Sequence, residues 1–199
     1  MICLESFSIG FGKRTVLNNF SLRLGKKERV MVIGNNGSGK TTLAFFLAGV
    51  IPNFISARVS GNVNISENVS LVMQNPSTQF ISMTVQEELA GIKCGKFGVG
   101  HLFHKNVFEL SEGEKQKINL VSNLLSNPDL LLLDEPIELL DPMEAKRFTG
   151  LISKISGPSI IWLDKADLKL RGFGKISLGG SKAKSFPKKR VSQIGKTVL

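Results

Sequence analysis

Cysteine and histidine are scarce in this chain of 199 residues, with two of each. Cys3 and Cys94 stand far apart, and their spacing makes neither a disulfide framework nor a zinc site, so a reducing cytoplasm is the simplest compartment. His101 and His104 have no acidic or cysteine neighbour close in sequence, the pattern of a solvated pair rather than of metal ligands. No apolar stretch approaches the roughly 18 residues needed to cross a bilayer, and runs such as Leu130–Leu133 have the length of a core strand. The first residues lack a basic segment followed by an apolar one and a cleavage site, so no secretory signal is expected. Internal repeats and long low-complexity segments are also missing. What remains is one domain, long enough to bury a real core.

The net charge of +10 is unevenly spread. Residues 1–164 carry 16 Lys and Arg against 15 Asp and Glu, whereas residues 165–199 carry 10 against 1. The basic character therefore belongs to the tail, with clusters at 182–184 and 187–190. Aromatic residues are few among those charges, with Phe186 alone between the two clusters, which favours a solvated tail, anionic headgroups or an acidic partner over nucleic acid.

Alternating apolar positions predict strands through the first 33 residues, ending in Arg29–Ile33, with a turn at Gly25–Lys27. An apolar helix is expected over 41–50, stopped by Pro52, and short strands at 59–65 and 70–74. Thr84 followed by acids predicts a helix over 84–92. Residues 93–109 read as irregular, and the spacing of Ile118, Val121, Leu124 and Leu125 predicts an amphipathic helix over 112–125. Residues 130–134 are apolar on both faces, as a buried parallel strand must be. A helix near 142–155 and a strand ending at Asp164 follow. The pattern is α/β, with a buried, mainly parallel sheet and an antiparallel β layer at the N-terminus.

Between the third strand and the first helix stands GNNGSGKT, Gly34 to Thr41, which fits Gly-x4-Gly-Lys-Ser/Thr. Glycines let successive backbone N–H groups curl around phosphate oxygens, and the helix N-terminus adds its positive dipole end. Gly34, Asn35, Asn36, Gly37, Ser38, Gly39, Lys40, Thr41 and Thr42 are therefore the candidate nucleotide-binding residues, with Lys40 on the β- and γ-phosphates and the Thr41 hydroxyl on Mg²⁺. The strand 130–134 ends in Asp134, a candidate Mg²⁺ ligand, and Glu135 is placed to act as general base on an attacking water.

Two kinds of nucleotide-binding protein fit so far. Asp-Lys-x-Asp at 164–167 approximates the guanine-reading Asn-Lys-x-Asp of GTPases, but the lead residue is Asp164, and no Gly follows Asp134 at the position that would sense a γ-phosphate. ELSEGEKQKINL at 109–120, GNNGSGKT, the Gln74 segment and LLLLDEP together resemble the ATP-binding cassette family, whose signature is typically Leu-Ser-Gly-Gly-Gln. The stretch 71–90 looks like the glutamine loop of the ATPase subunits of energy-coupling factor importers of vitamins and transition-metal ions.

The resemblance implies a P-loop NTPase fold over 1–199, with a shortened helical arm at about 75–127 and the basic tail at about 165–199. It implies an ATPase that uses ATP and Mg²⁺ at the cytoplasmic face of a membrane, beside a second ATPase subunit and a polytopic membrane subunit, with no nucleic acid expected. A non-transport relative acting on nucleic acid or ribosomes is the alternative. By position, Phe11 would stack on adenine, and Gln74 would approach Mg²⁺ and the attacking water. Ser111, Glu112, Gly113 and Glu114 would form the signature, acting on the nucleotide of the partner ATPase, and Asp141 would sit in a dimer-contact loop or simply cap a helix before Pro142.

Two stretches depart from the family. Glu112 and Glu114 replace the first signature Gly and the Gln. Aligned by its strand, Asp164 falls where the family has a His that contacts the γ-phosphate, while Lys165 is expected to point the other way. A carboxylate facing that phosphate at about 4 Å would meet on the order of 4 kcal/mol of repulsion per unit pair at an effective dielectric near 20. ATP binding with slow hydrolysis at the chain's own site is the resulting expectation.

Overall fold

The computed structural model describes residues 2–65, 68–92 and 95–178. Cys94 and the basic clusters at 182–184 and 187–190 lie outside the described residues. β1 (Ile2–Phe11) and β2 (Arg14–Leu24) form an antiparallel hairpin whose inward side chains, among them Leu4, Phe7, Phe20 and Leu22, are buried. Its register shifts between Leu4 and Phe7, where Ser6 takes a φ of 50°. The turn at Gly25–Lys27 is present, with Lys27 at φ 61°, and leads into β3 (Arg29–Ile33).

The glycine-rich loop then opens α1 (Lys40–Leu47). β4 (Arg58–Asn64) returns to pair antiparallel with β1, completing a three-stranded layer of order β2-β1-β4. β5 (Val69–Val72) begins the return to the main sheet. The helix expected over 84–92 is only α2 (Val85–Glu88), because Ala90 and Gly91 both take positive φ and end it. Short 3-10 turns at Gly95–Phe97, Gly100–Leu102 and Val107–Glu109 punctuate the described residues before α3 (Glu112–Leu125), which matches its expected span.

β6 (Leu130–Asp134), α4 (Pro142–Lys154), β7 (Ser159–Asp164) and β8 (Gly174–Ser177) complete the described chain. The main sheet has the order β5-β6-β7-β3-β8, and every pairing in it is parallel. Strand alternation divides its side chains between two cores. Val30, Val32, Leu132, Ile161 and Leu163 meet α1 and the antiparallel layer on one face. Met31, Leu131, Leu133, Ile160 and Trp162 meet Leu120 of α3 and Phe148 and Ile152 of α4 on the other. A third cluster joins Val85, Leu89, Leu102 and Val107 of the arm to Ile118 and Val121 of α3. Because β3, β6 and β7 run in parallel, their C-terminal ends open on one edge of the sheet, where a doubly covered sheet binds its ligands.

Candidate active site

The loop between β3 and α1 is shaped by its glycines. Gly39 is the N-cap of α1 at φ 97°, and a Cβ there would lie 2.8 Å from Leu17 Cδ2. A Cβ on Gly34 would lie 2.4 Å from Ser38 Oγ. Glycine is required at Gly39 by its left-handed backbone, and at Gly34 a Cβ would force Ser38 and Leu178 to shift. The buried Lys40 donates from Nζ to the carbonyls of Gly34 at 2.7 Å and Asn35 at 3.3 Å, and its Nζ is 3.0 Å from Glu135 Oε1. The ammonium is thus held against the glycine-rich loop at the N-terminus of α1, where phosphate oxygens would sit.

Asp134 ends β6 on the face that α1 covers, and hydrogen-bonds the Thr41 side chain. Burial, first of all, raises its carboxyl above the ordinary value; the Thr41 bond and Lys40 oppose this, and Glu135 and Asp164 add to it. Its Oδ1 is buried without a hydrogen-bond partner, as is Ser38 Oγ. A hydroxyl, an under-coordinated carboxylate and the nearby Gln74 amide make an all-oxygen donor set, the chemistry a hard cation such as Mg²⁺ requires. Glu135 follows at φ 45°, with its N–H donating to Leu163 O at 2.9 Å.

These side chains line one cleft of about 620 Å³, a size in the range of small-ligand sites. Phe11 closes one wall beside Arg14 and Val16, while Asn36, Gly37 and Thr42 complete the phosphate end. Gln74 is exposed and also lines it, with Glu138 at the rim.

The end of β7 differs from expectation. Asp164 shares the α4 face with Trp162, two residues earlier, so its carboxylate is turned away from α1. Asp164 Oδ2 accepts from Trp162 Nε1 at 3.0 Å, and Oδ1 accepts from Ala166 N at 3.0 Å. Lys165, expected to point away, instead pairs with Glu138 at the cleft rim; this bond, with smaller contributions from Glu135 and Asp164, raises its pKa. The carboxylate is therefore not presented to the cleft, and the flanking cation is the nearer of the two to its rim.

The signature residues lie outside the cleft. Ser111 is the N-cap of α3, its Oγ accepting from Glu114 N while Glu114 accepts from Ser111 N, a reciprocal capping box. The acidic departures have local partners: Glu112 pairs with Lys115, and Glu114 lies 3.6 Å from Lys105 and 4.0 Å from His101. Gly113 is buried under α4, where a Cβ would come within 2.8 Å of Glu144 Oε2. Asp141 caps α4, accepting from Met143 N and Glu144 N, so the capping role is present whatever else the residue does.

Residues 17–138, more than half of the chain, match the family described as ABC transporter. The chain belongs to the ABC transporter family. Among its relatives is the energy-coupling factor transporter ATP-binding protein EcfA of Aster yellows witches'-broom phytoplasma (strain AYWB), 29% identical over 186 residues, which are 81% of this chain and 69% of that protein. A Bacillus subtilis (strain 168) protein described as an HMP/thiamine import ATP-binding protein is 32% identical over 181 residues, 75% of this chain and 33% of its own length. The chain spans about a third of the length of most of the first curated relatives it matches. The fold matches cbiO1 from Clostridium perfringens, part of the ABC transporter complex cbiONQ, with a TM-score of 0.69 at 21% identity over 89% of this chain and 84% of that one.

Within the family frame, several residues carry the site without having been singled out in the sequence. Arg14, Val16 and Glu138 line the cleft, and Trp162 fixes Asp164. Gln116 and Asn119 are buried polar residues of α3 that reach the loops on either side of the cleft. Their signal was there to read: Gln116, Asn119 and Asn123 form a polar stripe at helical spacing along the buried side of an amphipathic helix.

Proposed function

We propose that this chain binds ATP with Mg²⁺ in the cleft at the ends of β3, β6 and β7, and hydrolyses it slowly as the ATPase subunit of an energy-coupling factor importer. The observation that carries this reading is the convergence of Lys40, Thr41, Asp134, Glu135, Gln74 and Phe11 on a single cleft. Backbone N–H groups of the loop 34–39 and the Lys40 ammonium hold the phosphates, and Phe11 offers an aromatic wall to the base. Thr41, Asp134 and Gln74 would hold Mg²⁺, which supplies charge neutralisation on the β- and γ-phosphates when bound. Phosphate oxygens compete with Glu135 for Lys40, releasing a carboxylate to take the proton of the attacking water. Slow turnover rests on the end of β7, where the Asp164 carboxylate is committed to Trp162 and Ala166: it does not repel a γ-phosphate, and it offers no replacement for the family's His.

A polytopic membrane partner fits an exposed apolar group on the arm. Ile81, Met83 and Phe108 are 95%, 61% and 66% exposed, and are drawn together by the Val107 N–H bond to Met83 O at 2.9 Å. Apolar side chains grouped in this way mark an interaction surface. A second ATPase subunit would face the Ser111–Glu114 cap and the Asp141 loop. The test is calorimetric titration of the purified chain with Mg-ATP and Mg-GTP, together with affinity purification from solubilised membranes. Preferred ATP binding and recovery of a second ATPase with a multi-spanning subunit are expected. No ATP binding, a GTP preference or salt-sensitive DNA binding would overturn the reading.

A further inference from the structure

One side chain ties together the two loops that flank the proposed site of attack. Gln116, in the second turn of α3, is 1% exposed. Its Nε2 donates to Met73 O at 3.1 Å and to Pro136 O at 2.8 Å. Met73 immediately precedes Gln74, and Pro136 immediately follows Glu135. The amide has one orientation that satisfies this arrangement, since both partners are carbonyls and only the NH₂ end can donate. Its Oε1 is left buried without a hydrogen-bond partner. A position that tolerates an orphaned acceptor is there for its two donors.

Both loops need outside support. Glu135 adopts φ 45°, a left-handed conformation that persists for a bulky side chain only when its surroundings fix it. The Gln74 segment follows the end of β5 and is held by a second, half-buried amide: Gln79 Oε1 accepts from Met73 N at 2.7 Å and from Asn119 Nδ2 at 2.8 Å, while Gln79 Nε2 donates to Leu71 O at 2.7 Å. Asn119 lies one turn beyond Gln116 on the same helix. Through Gln116 directly, and through Asn119 on Gln79, the segment is tied to α3, the helix that begins at the Ser111–Glu114 cap.

We infer that Gln116 is a positioning residue that sets Gln74 and Glu135 together, so that a shift of the first turns of α3 reaches both through one amide. This rests on the proposed roles of Gln74 and Glu135 in hydrolysis. It gives the two loops one shared support: loss of the two donors loosens the water-orienting and proton-accepting groups together, and leaves the loop 34–41 untouched.

The test has an arm that does not depend on ATP. Native-state hydrogen exchange of the nucleotide-free wild-type chain is expected to show residues 72–75 and 135–138 opening with one shared free energy. In Gln116→Met, a near-isosteric change without donors, both segments are expected to exchange at least tenfold faster while α1 keeps its protection. In the second arm, Gln116→Met and Gln116→Glu keep ATP KM within about threefold of wild type and lose at least tenfold in kcat. Independent opening of the two segments in the wild type, acceleration of only one segment, or a fall in kcat matched by a rise in KM would overturn the inference. Wild-type protein that shows shared opening but no hydrolysis would overturn the proposed function instead, and leave the clamp standing.

Discussion

The indole N–H of Trp162 donates to Asp164 Oδ2 at 3.0 Å, within a site where Asp164 is 5% exposed and its other oxygen accepts from Ala166 N. This bond, between residues two apart on one strand, turns a carboxylate at the edge of the cleft into a structural group. Trp162→Phe keeps a ring in the core beside Phe148 and Phe173 but leaves Oδ2 buried without its donor. A hydrogen bond to a charged group contributes about 1.5–3 kcal/mol. Urea unfolding at neutral pH is expected to show a loss of that order, and an unchanged midpoint would show that the bond contributes nothing.

Asp134 predicts the opposite sign. Burial holds its carboxyl above the ordinary value, so the folded, metal-free chain binds that proton more tightly than the unfolded one, and stability is lost as pH rises from the unfolded value through the folded one. Asp134→Asn should therefore melt higher than wild type at neutral pH without Mg-ATP, and the gap should close as pH falls toward about 4. Mg-ATP should stabilise wild type and not the variant. Thermal melts across that pH range, with and without Mg-ATP, check both parts.

The Lys165–Glu138 pair at the rim is partly exposed, and surface pairs contribute about 0–1 kcal/mol. Lys165→Ala should leave the melting temperature nearly unchanged. Lys165→Glu reverses the charge beside Glu138 and Glu135, and should weaken ATP binding about tenfold at low salt, with most of the loss recovered in high salt. Titrations at two ionic strengths decide it; a salt-independent loss would point to a steric cause.

Gly39→Ala should be costly in both stability and binding. The position needs φ 97° and has no room for a Cβ beside Leu17 and Val16. Forcing a side chain into left-handed backbone costs about 1–3 kcal/mol, and the shifted loop can no longer direct its N–H groups at phosphate. Loss of Mg-ATP binding in a variant that still unfolds cooperatively is the expected result.

Much of the fold could be read from pattern alone, because periodicity and caps act locally. The span of α3 followed from Ile118, Val121, Leu124 and Leu125, and that of β6 from its unbroken apolar run. The phosphate loop, Asp134 and Glu135 were legible for a different reason: their chemistry restricts residue types at close spacing. The orientation of Asp164 was not. The strand that ends at Asp164 could be read from its apolar run, but the face the residue occupies depends on Trp162 packing against α4, a contact made across the fold. α2 was overextended because the Thr84 cap announces a start, whereas Ala90 and Gly91 end the helix through backbone angles that no side-chain pattern displays. Gln116 was passed over because its partners are carbonyls 43 and 20 residues away in the chain.

Turnover of saturating Mg-ATP by the purified chain, compared with Glu135→Gln under the same conditions, decides whether the cleft is a hydrolytic site. The expected result is ATP bound by both, slow hydrolysis by the wild type, and at least a hundredfold less by the variant, as for loss of a general base. A wild-type chain that fails to bind ATP, or a Glu135→Gln variant that hydrolyses it at the wild-type rate, would contradict the site described here.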